Sequence, residues 1–273
     1  MPKKHLKHKL LYIGLGLIAA FVVIYGVVLY HIQDRLLYYP NAHHVTPQGQ
    51  LDVFSENIIP ATDGTPIMTW YYAGNKDKPA ILFFHGNAGQ IAQFAPQMLP
   101  FTAQDYTVLI MEYRGFGGAA GKVGQQNFYA DALTVFDWLK RQNYPKIIIY
   151  GYSLGTTMAV NVASQRVADG LILTAPFASM KRLVGEKPVP LARLVLKDHY
   201  DSETMIKKIA IPTLFVHGTD DKLIPPHHSE ILHQASPATD KELFMVADAT
   251  HVSVYFYEIN IPIIFDWLKR HSF

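Results

Sequence analysis

The run Lys146-Ile147-Ile148-Ile149-Tyr150 passes directly into Gly151-Tyr152-Ser153-Leu154-Gly155, after which Leu154 to Ala163 has the spacing of a helix. An apolar strand, a Gly-x-Ser-x-Gly turn and a helix in immediate succession form a nucleophile elbow, a strained turn that lifts a serine hydroxyl above the end of a sheet. Gly151 and Gly155 leave out the Cβ atoms that would collide with the adjoining strand and helix. Ser153 is therefore the candidate nucleophile; the competing reading is a serine serving as an ordinary helix N-cap.

On either side of the elbow, short β-rich runs alternate with helix-period segments. Val53 to Ile59 and Ile67 to Tyr72, separated by Pro60, Asp63-Gly64 and Pro66, read as two antiparallel strands. Ala80 to Phe84, Thr107 to Met111, Lys146 to Tyr150 and Gly170 to Thr174 are continuous apolar runs, the pattern of parallel strands buried on both faces. Thr213 to Val216 and Glu242 to Val246 bring the total to about eight strands. Ile91, Phe94, Ala95, Met98 and Leu99 form one helical stripe, and Phe128, Ala132, Val135, Phe136 and Leu139 another. A final helix is expected with Asn260 as N-cap and Pro262 in its first turn, burying Ile261, Ile264, Phe265 and Leu268. The alternation predicts an α/β fold, a mostly parallel eight-stranded sheet flanked by helices with right-handed crossovers. Residues 176–201 carry no strand pattern, so any lid is small.

A serine hydroxyl needs a histidine to take its proton and an acid to orient that histidine, in the chain order Ser, acid, His. The run Thr213 to Val216 leads into His217-Gly218-Thr219-Asp220-Asp221, which puts Asp220 and Asp221 at a strand's C-terminal edge; either is the candidate acid. Ala247-Asp248-Ala249-Thr250-His251 follows the last strand and makes His251 the candidate base. The oxyanion of a tetrahedral intermediate needs donors, supplied by the amide of Leu154 and by that of Asn87 in His85-Gly86-Asn87-Ala88-Gly89, with Gly86 in reserve. Of the 13 histidines, His85 and His217 sit at strand ends, where a structural hydrogen-bonding role is expected. His227, His228 and His233 are expected on a surface helix, without the i, i+4 spacing of a zinc pair. Gly115-Phe116-Gly117-Gly118-Ala119-Ala120 fits a permissive dinucleotide fingerprint, but Gly121 and Gly124 oppose a helix there and favour a loop.

The remainder of the chain constrains location and partners. It has 273 residues, 49% hydrophobic and 17% charged, which excludes disorder. Its net charge is +2, and Lys3, Lys4, Lys7 and Lys9 account for the excess, so no basic field suggests nucleic acid. The absence of cysteine excludes disulfides, thiolate nucleophiles and cysteine metal sites. Leu10 to Tyr30 is free of charge and, at 1.5 Å per residue, about 31 Å long, the thickness of a bilayer's hydrocarbon layer. It lacks a small-x-small cleavage site, which favours an uncleaved anchor over a signal peptide. The lysines before it keep the N-terminus cytoplasmic and send the C-terminal domain to the periplasmic or extracellular side. Tyr30, Tyr38 and Tyr39 suit the far interface. The expected organisation is a basic tail at 1–9, the anchor at 10–30, a connector at 31–50 and one domain at 51–273.

Arg35-Leu36-Leu37-Tyr38-Tyr39-Pro40, His85-Gly86-Asn87, Tyr113-Arg114-Gly115-Phe116-Gly117, the elbow, His217-Gly218-Thr219-Asp220-Asp221 and Thr250-His251 together resemble the α/β-hydrolase superfamily, and within it membrane-anchored serine hydrolases related to the α/β-hydrolase-domain depalmitoylases. The resemblance covers roughly residues 35–270 and implies that the acid is Asp221, four residues after the histidine of His-Gly. Glu112 stands where an aspartate is expected, and Val252-Ser253 replaces the usual polar pair after the histidine. The resemblance implies a serine hydrolase of carboxylic esters or thioesters, requiring no cofactor or metal; tethering beside a bilayer would raise the local concentration of lipidic substrates, which adds acyl-lipids or lipoproteins as candidates. Two alternatives remain: a peptidase or amidase on the same residues, and an inactive, membrane-tethered binding protein.

Overall fold

The structure is a computed structural model describing residues 2–273. Met1 and the side chains of residues 2–4, 6, 7 and 257 lie outside the described residues, so Lys3, Lys4 and Lys7 of the basic tail enter as sequence alone. The chain opens with α1 (Pro2–Leu37) and a short strand, β1 (Tyr39–Pro40). It continues with β2 (Ser55–Pro60), β3 (Pro66–Tyr72), β4 (Ala80–Phe84), β5 (Ala88–Gly89), α2 (Ile91–Phe94), α3 (Leu99–Ala103) and β6 (Thr107–Met111). Next come α4 (Gln125–Lys140), β7 (Ile147–Tyr152), α5 (Gly155–Ala163), β8 (Gly170–Thr174), α6 (Met180–Gly185) and α7 (Ser202–Ile206). The last elements are β9 (Thr213–Gly218), α8 (His227–Ala235), β10 (Lys241–Val246) and α9 (Tyr257–Arg270).

Eight strands form one sheet in the order β10-β9-β8-β7-β4-β6-β3-β2. All neighbours from β10 to β6 are parallel, and β3 and β2 add an antiparallel edge. Successive side chains of a strand point to opposite faces, and both faces are covered. Ala80, Leu82 and Phe84 of β4 join the core under α4, α5 and α8, whereas Ile81 and Phe83 join the one under α2, α3 and α9. Two buried faces explain why these strands read as unbroken apolar runs.

Some expectations require correction. The stripe from Ile91 to Leu99 is not one helix: Pro96 and Pro100 divide it into α2, a 3-10 turn and α3, because each removes an amide donor. Asn260 is not an N-cap. The last helix starts at Tyr257, and Asn260 lies buried within it, its amide donating to the Tyr150 hydroxyl at 2.6 Å. Pro262 accordingly falls inside the helix, beyond its first turn. His228 is fully buried rather than on a surface. Tyr38 does not face an interface: it packs in the core, hydrogen-bonded to Asp198 and to Tyr200. The 112–124 segment forms a loop between β6 and α4.

The apolar part of α1, from His8 to Leu37, is long and apolar enough to cross a membrane, and its side chains from His8 to Ile24 are mostly exposed, Phe21 being 68% exposed. The helix continues beyond Tyr30, and its last turns dock on the domain. Gln33 donates to the Val195 carbonyl at 3.1 Å and accepts from the Lys197 amide at 2.7 Å. Asp198, bonded to Tyr38, also accepts the Gln125 amide at the start of α4, where the helix dipole favours a carboxylate. Beyond the helix, β1 pairs in parallel with β5. The 176–201 insert contains only α6 and a 3-10 turn at Ala192–Leu194.

Candidate active site

Ser153, Asp221 and His251 follow β7, β9 and β10, whose parallel course brings their C-terminal ends to one edge of the sheet. Ser153 holds φ +53, a left-handed conformation uncommon outside glycine that costs about 1–3 kcal/mol. The flanking glycines make that turn possible. A Cβ on Gly155 would be driven into the backbone carbonyl of Phe84 in β4, and one on Gly151 into the backbone of Gly155 and Thr156. Backbone cannot swing aside as a side chain can. Gly155→Ala should therefore cost about 3 kcal/mol or more, read as a lowered denaturant midpoint; an unchanged midpoint would refute the packing argument.

The Ser153 hydroxyl lies 2.9 Å from His251 Nε2, and His251 Nδ1 lies 2.7 Å from Asp221 Oδ2. All three side chains are largely buried. The other carboxylate oxygen of Asp221 accepts the amides of Leu223 at 2.9 Å and Ile224 at 2.8 Å. Burial alone would raise the Asp221 pKa; hydrogen bonds from His217 and His251 and from the Ile224 amide outweigh it and hold the group below the usual carboxylate range. Asp220 lies apart, half-exposed and paired with Lys222.

Leu154 and Asn87 line the cleft beside Ser153, and among the described residues neither amide N–H meets a protein acceptor. Two unengaged donors beside a buried hydroxyl can receive a developing oxyanion. The side chain of Asn87 is engaged elsewhere, donating to the Leu37 carbonyl at the end of α1 at 2.7 Å, while the backbone carbonyl of Asn87 accepts the Tyr39 amide at 2.9 Å.

Other residues support these three, among them His85 and His217, whose strand-end positions led to the expectation of a structural hydrogen-bonding role. Tyr152, within the elbow, donates to the His251 carbonyl at 3.0 Å and stacks on Tyr255. Burial and the nearby Asp221 charge push its phenol pKa up, so it remains a donor. His217 is fully buried, its Nε2 2.9 Å from the Ile224 carbonyl and 3.3 Å from Asp221 Oδ2, its Nδ1 2.6 Å from the Ser229 hydroxyl. His85 faces Glu112 at 2.9 Å beneath the candidate oxyanion loop. Ser253 accepts the Thr250 amide at 2.8 Å, whereas Val252 is exposed at the rim.

Glu186, His227 and His228 bring potential ligand atoms within 4.8 Å of one another. The Ala178 amide donates to His228 Nδ1 at 3.1 Å, which leaves the ring proton on Nε2, the atom facing Glu186. Burial lowers the His228 pKa to about 4, so the ring is neutral at pH 7. A cation at Nε2 would have to displace that ring's last proton, so the cluster reads as a hydrogen-bonded prop for the insert.

The family described as serine aminopeptidase, S33, matches residues 75–202. An uncharacterized protein of Mycobacterium tuberculosis is 32% identical over 244 residues, 86% of this chain and 85% of the relative. An uncharacterized membrane protein of Saccharomyces cerevisiae is 28% identical over 274 residues, 95% and 96% of the two chains. Among solved structures, a Pyrococcus furiosus esterase superposes with a TM-score of 0.69 at 20% identity, covering 86% of this chain and 97% of that one. At that identity the likeness is one of fold.

Proposed function

The chain belongs to the α/β-hydrolase superfamily, and from that premise we propose that it is a membrane-anchored serine hydrolase of carboxylic esters or thioesters. The observation that carries this reading is the unbroken hydrogen-bonded relay from Ser153 through His251 to Asp221. In the proposed reaction Ser153 Oγ bonds to the substrate carbonyl carbon as its proton passes to His251 Nε2. The amides of Leu154 and Asn87 hold the oxyanion; the bond to the alcohol or thiol then breaks, and the leaving group takes the proton from His251. Water, deprotonated by the same histidine, releases the acid and restores Ser153. Asp221 keeps the histidine in the tautomer whose Nε2 is free to accept.

The walls of the cleft support esters of apolar acids. The cleft holds about 440 Å³ between Ser153, Leu154, Phe177, Met180, Leu183 and Ile224, and Lys187 is its one charged lining residue among those described. A peptidase acting at a free amino terminus needs an anion to hold the ammonium group, and that lining contains no carboxylate. The peptidase reading, favoured by the name of the matching family, is therefore second.

The proposed topology is a cytoplasmic N-terminus, a bilayer span within α1 and a catalytic domain on the far side. It is supported by the lysines before the span and by the free apolar surface of α1. The test is turnover of short-chain esters and thioesters by the detergent-solubilised full chain. Turnover that disappears in His251→Ala is expected; turnover indifferent to that change, or none with any ester, would sink the proposal.

A further inference from the structure

The cleft at Ser153 shares lining residues with a neighbouring apolar chamber, and that chamber with a groove beyond it. Leu36, Leu37, Val184 and Lys187 line both the cleft and this second, almost wholly apolar chamber of about 170 Å³, walled further by Leu29, Val189, Ala192 and Val195. Val195 and Leu196 in turn border a third groove, open along α1 past Tyr30, Val27, Gly26 and Val23. From Leu37 to Val22 the path follows sixteen residues of one helix, about 22 Å. One wall throughout is α1, the same helix whose upper turns are the candidate bilayer span; the other is the 184–196 part of the insert.

We propose that this path is an acyl-chain groove: the long hydrocarbon chain of an ester embedded in the bilayer slides along α1, under the insert, to present its carbonyl to Ser153. The inference rests on the hydrolase reading and names its substrate as a long-chain acyl ester drawn laterally from the membrane. Three features point to a built groove. The insert is fastened to α1 through Gln33, with the Val195 carbonyl and Lys197 amide as partners, and through the Lys197–Asp34 pair. The insert packs on α1 at Gly26, the Val195 side chain lying at ordinary contact distance, 3.8 Å, from where a Cβ would stand. The outer face of the insert presents Leu194, 70% exposed, beside the apolar flank of α1, a surface suited to hydrocarbon rather than water. Lys187 sits where the first two chambers meet, but its ammonium group is held by the carbonyls of Lys222 and Leu223.

The experiment uses the full chain in phosphatidylcholine vesicles. With para-nitrophenyl butanoate, octanoate and hexadecanoate, kcat/KM should rise with chain length by up to about fourfold per methylene buried. Ala192→Trp and Leu36→Trp fill the groove and should each cut the hexadecanoate-to-butanoate ratio of kcat/KM by about tenfold or more. Because either variant could fold poorly, a second measurement uses the unaltered protein. An alkyl fluorophosphonate with a photoreactive diazirine at the tail end is bound to Ser153 and irradiated, and the cross-links are mapped. Cross-links within residues 22–37 or 184–196 support the groove. Cross-links confined to other segments, or a chain-length ratio unmoved by both variants while turnover still depends on Ser153, overturn it and leave the hydrolase reading standing. Failure of Ser153 to react, with no turnover of any ester, overturns both.

Discussion

Replacing Ser153 with alanine is expected to abolish labelling by a small fluorophosphonate and to lower ester turnover by about 10⁶-fold, the size of effect seen when a serine hydrolase loses its nucleophile. The fold should survive. Alanine adds no atom to the turn, and the backbone hydrogen bond from the Ser153 amide to the Thr174 carbonyl, at 2.9 Å, does not depend on the side chain. The hydroxyl's contact is with His251, which retains its Asp221 partner. What remains after the change should be the modest acceleration due to the oxyanion amides and to substrate binding. Labelling and turnover at wild-type levels in a folded variant would remove Ser153 from the mechanism. Loss of both together with loss of the folded state would instead show that the turn itself needs the hydroxyl.

Asp221→Asn should lower kcat by about 10⁴-fold with little change in shape. The reason lies in the two backbone donors at Leu223 and Ile224, which already occupy one oxygen of the carboxylate. An asparagine must keep its carbonyl oxygen there and turn its NH₂ group toward His251 Nδ1. That amide donates where the carboxylate accepted, so the histidine's proton moves to Nε2 and the ring can no longer take one from Ser153. The wild-type group has its own pH signature. Its folded pKa lies below the ordinary carboxylate value, so its stabilising contribution is fully present above pH of about 4 and is lost as pH falls below that. The stability gap between wild type and variant should therefore be widest near neutrality and narrow in acid, as read by denaturant titration. A gap that widens in acid would contradict the assignment, and an acid limb of kcat/KM caused by Asp221 is not expected.

The sheet was readable because burial on two faces writes itself into consecutive residues: Ile147, Ile148 and Ile149 face alternate cores and all must be apolar. The elbow was readable for a related reason, since its constraints act between residues a few positions apart. Long-range partners left no such trace. Asn260 has a side chain suited to an N-cap, and only Tyr150, 110 residues away in sequence, accounts for its burial in mid-helix. Tyr38 reads as an interfacial aromatic because Asp198 and Tyr200, which hold it in the core, lie 160 and 162 residues away in sequence. Asp220 and Asp221 are equivalent by spacing at a strand's edge; the turn after β9 buries one and leaves the other with Lys222. The groove was invisible because its walls come from two segments about 160 residues apart that share only apolarity.

The bond from the Asn87 side chain to the Leu37 carbonyl, with β1 laid beside β5, makes the end of the hydrophobic helix and the loop over the serine a single mechanical part. A water-soluble version of this molecule therefore cannot be made by trimming its first forty residues without consequence. The cut would remove the proposed anchor, and with it a support of the cleft at Ser153, so the shortened protein is expected to differ in activity from the full chain.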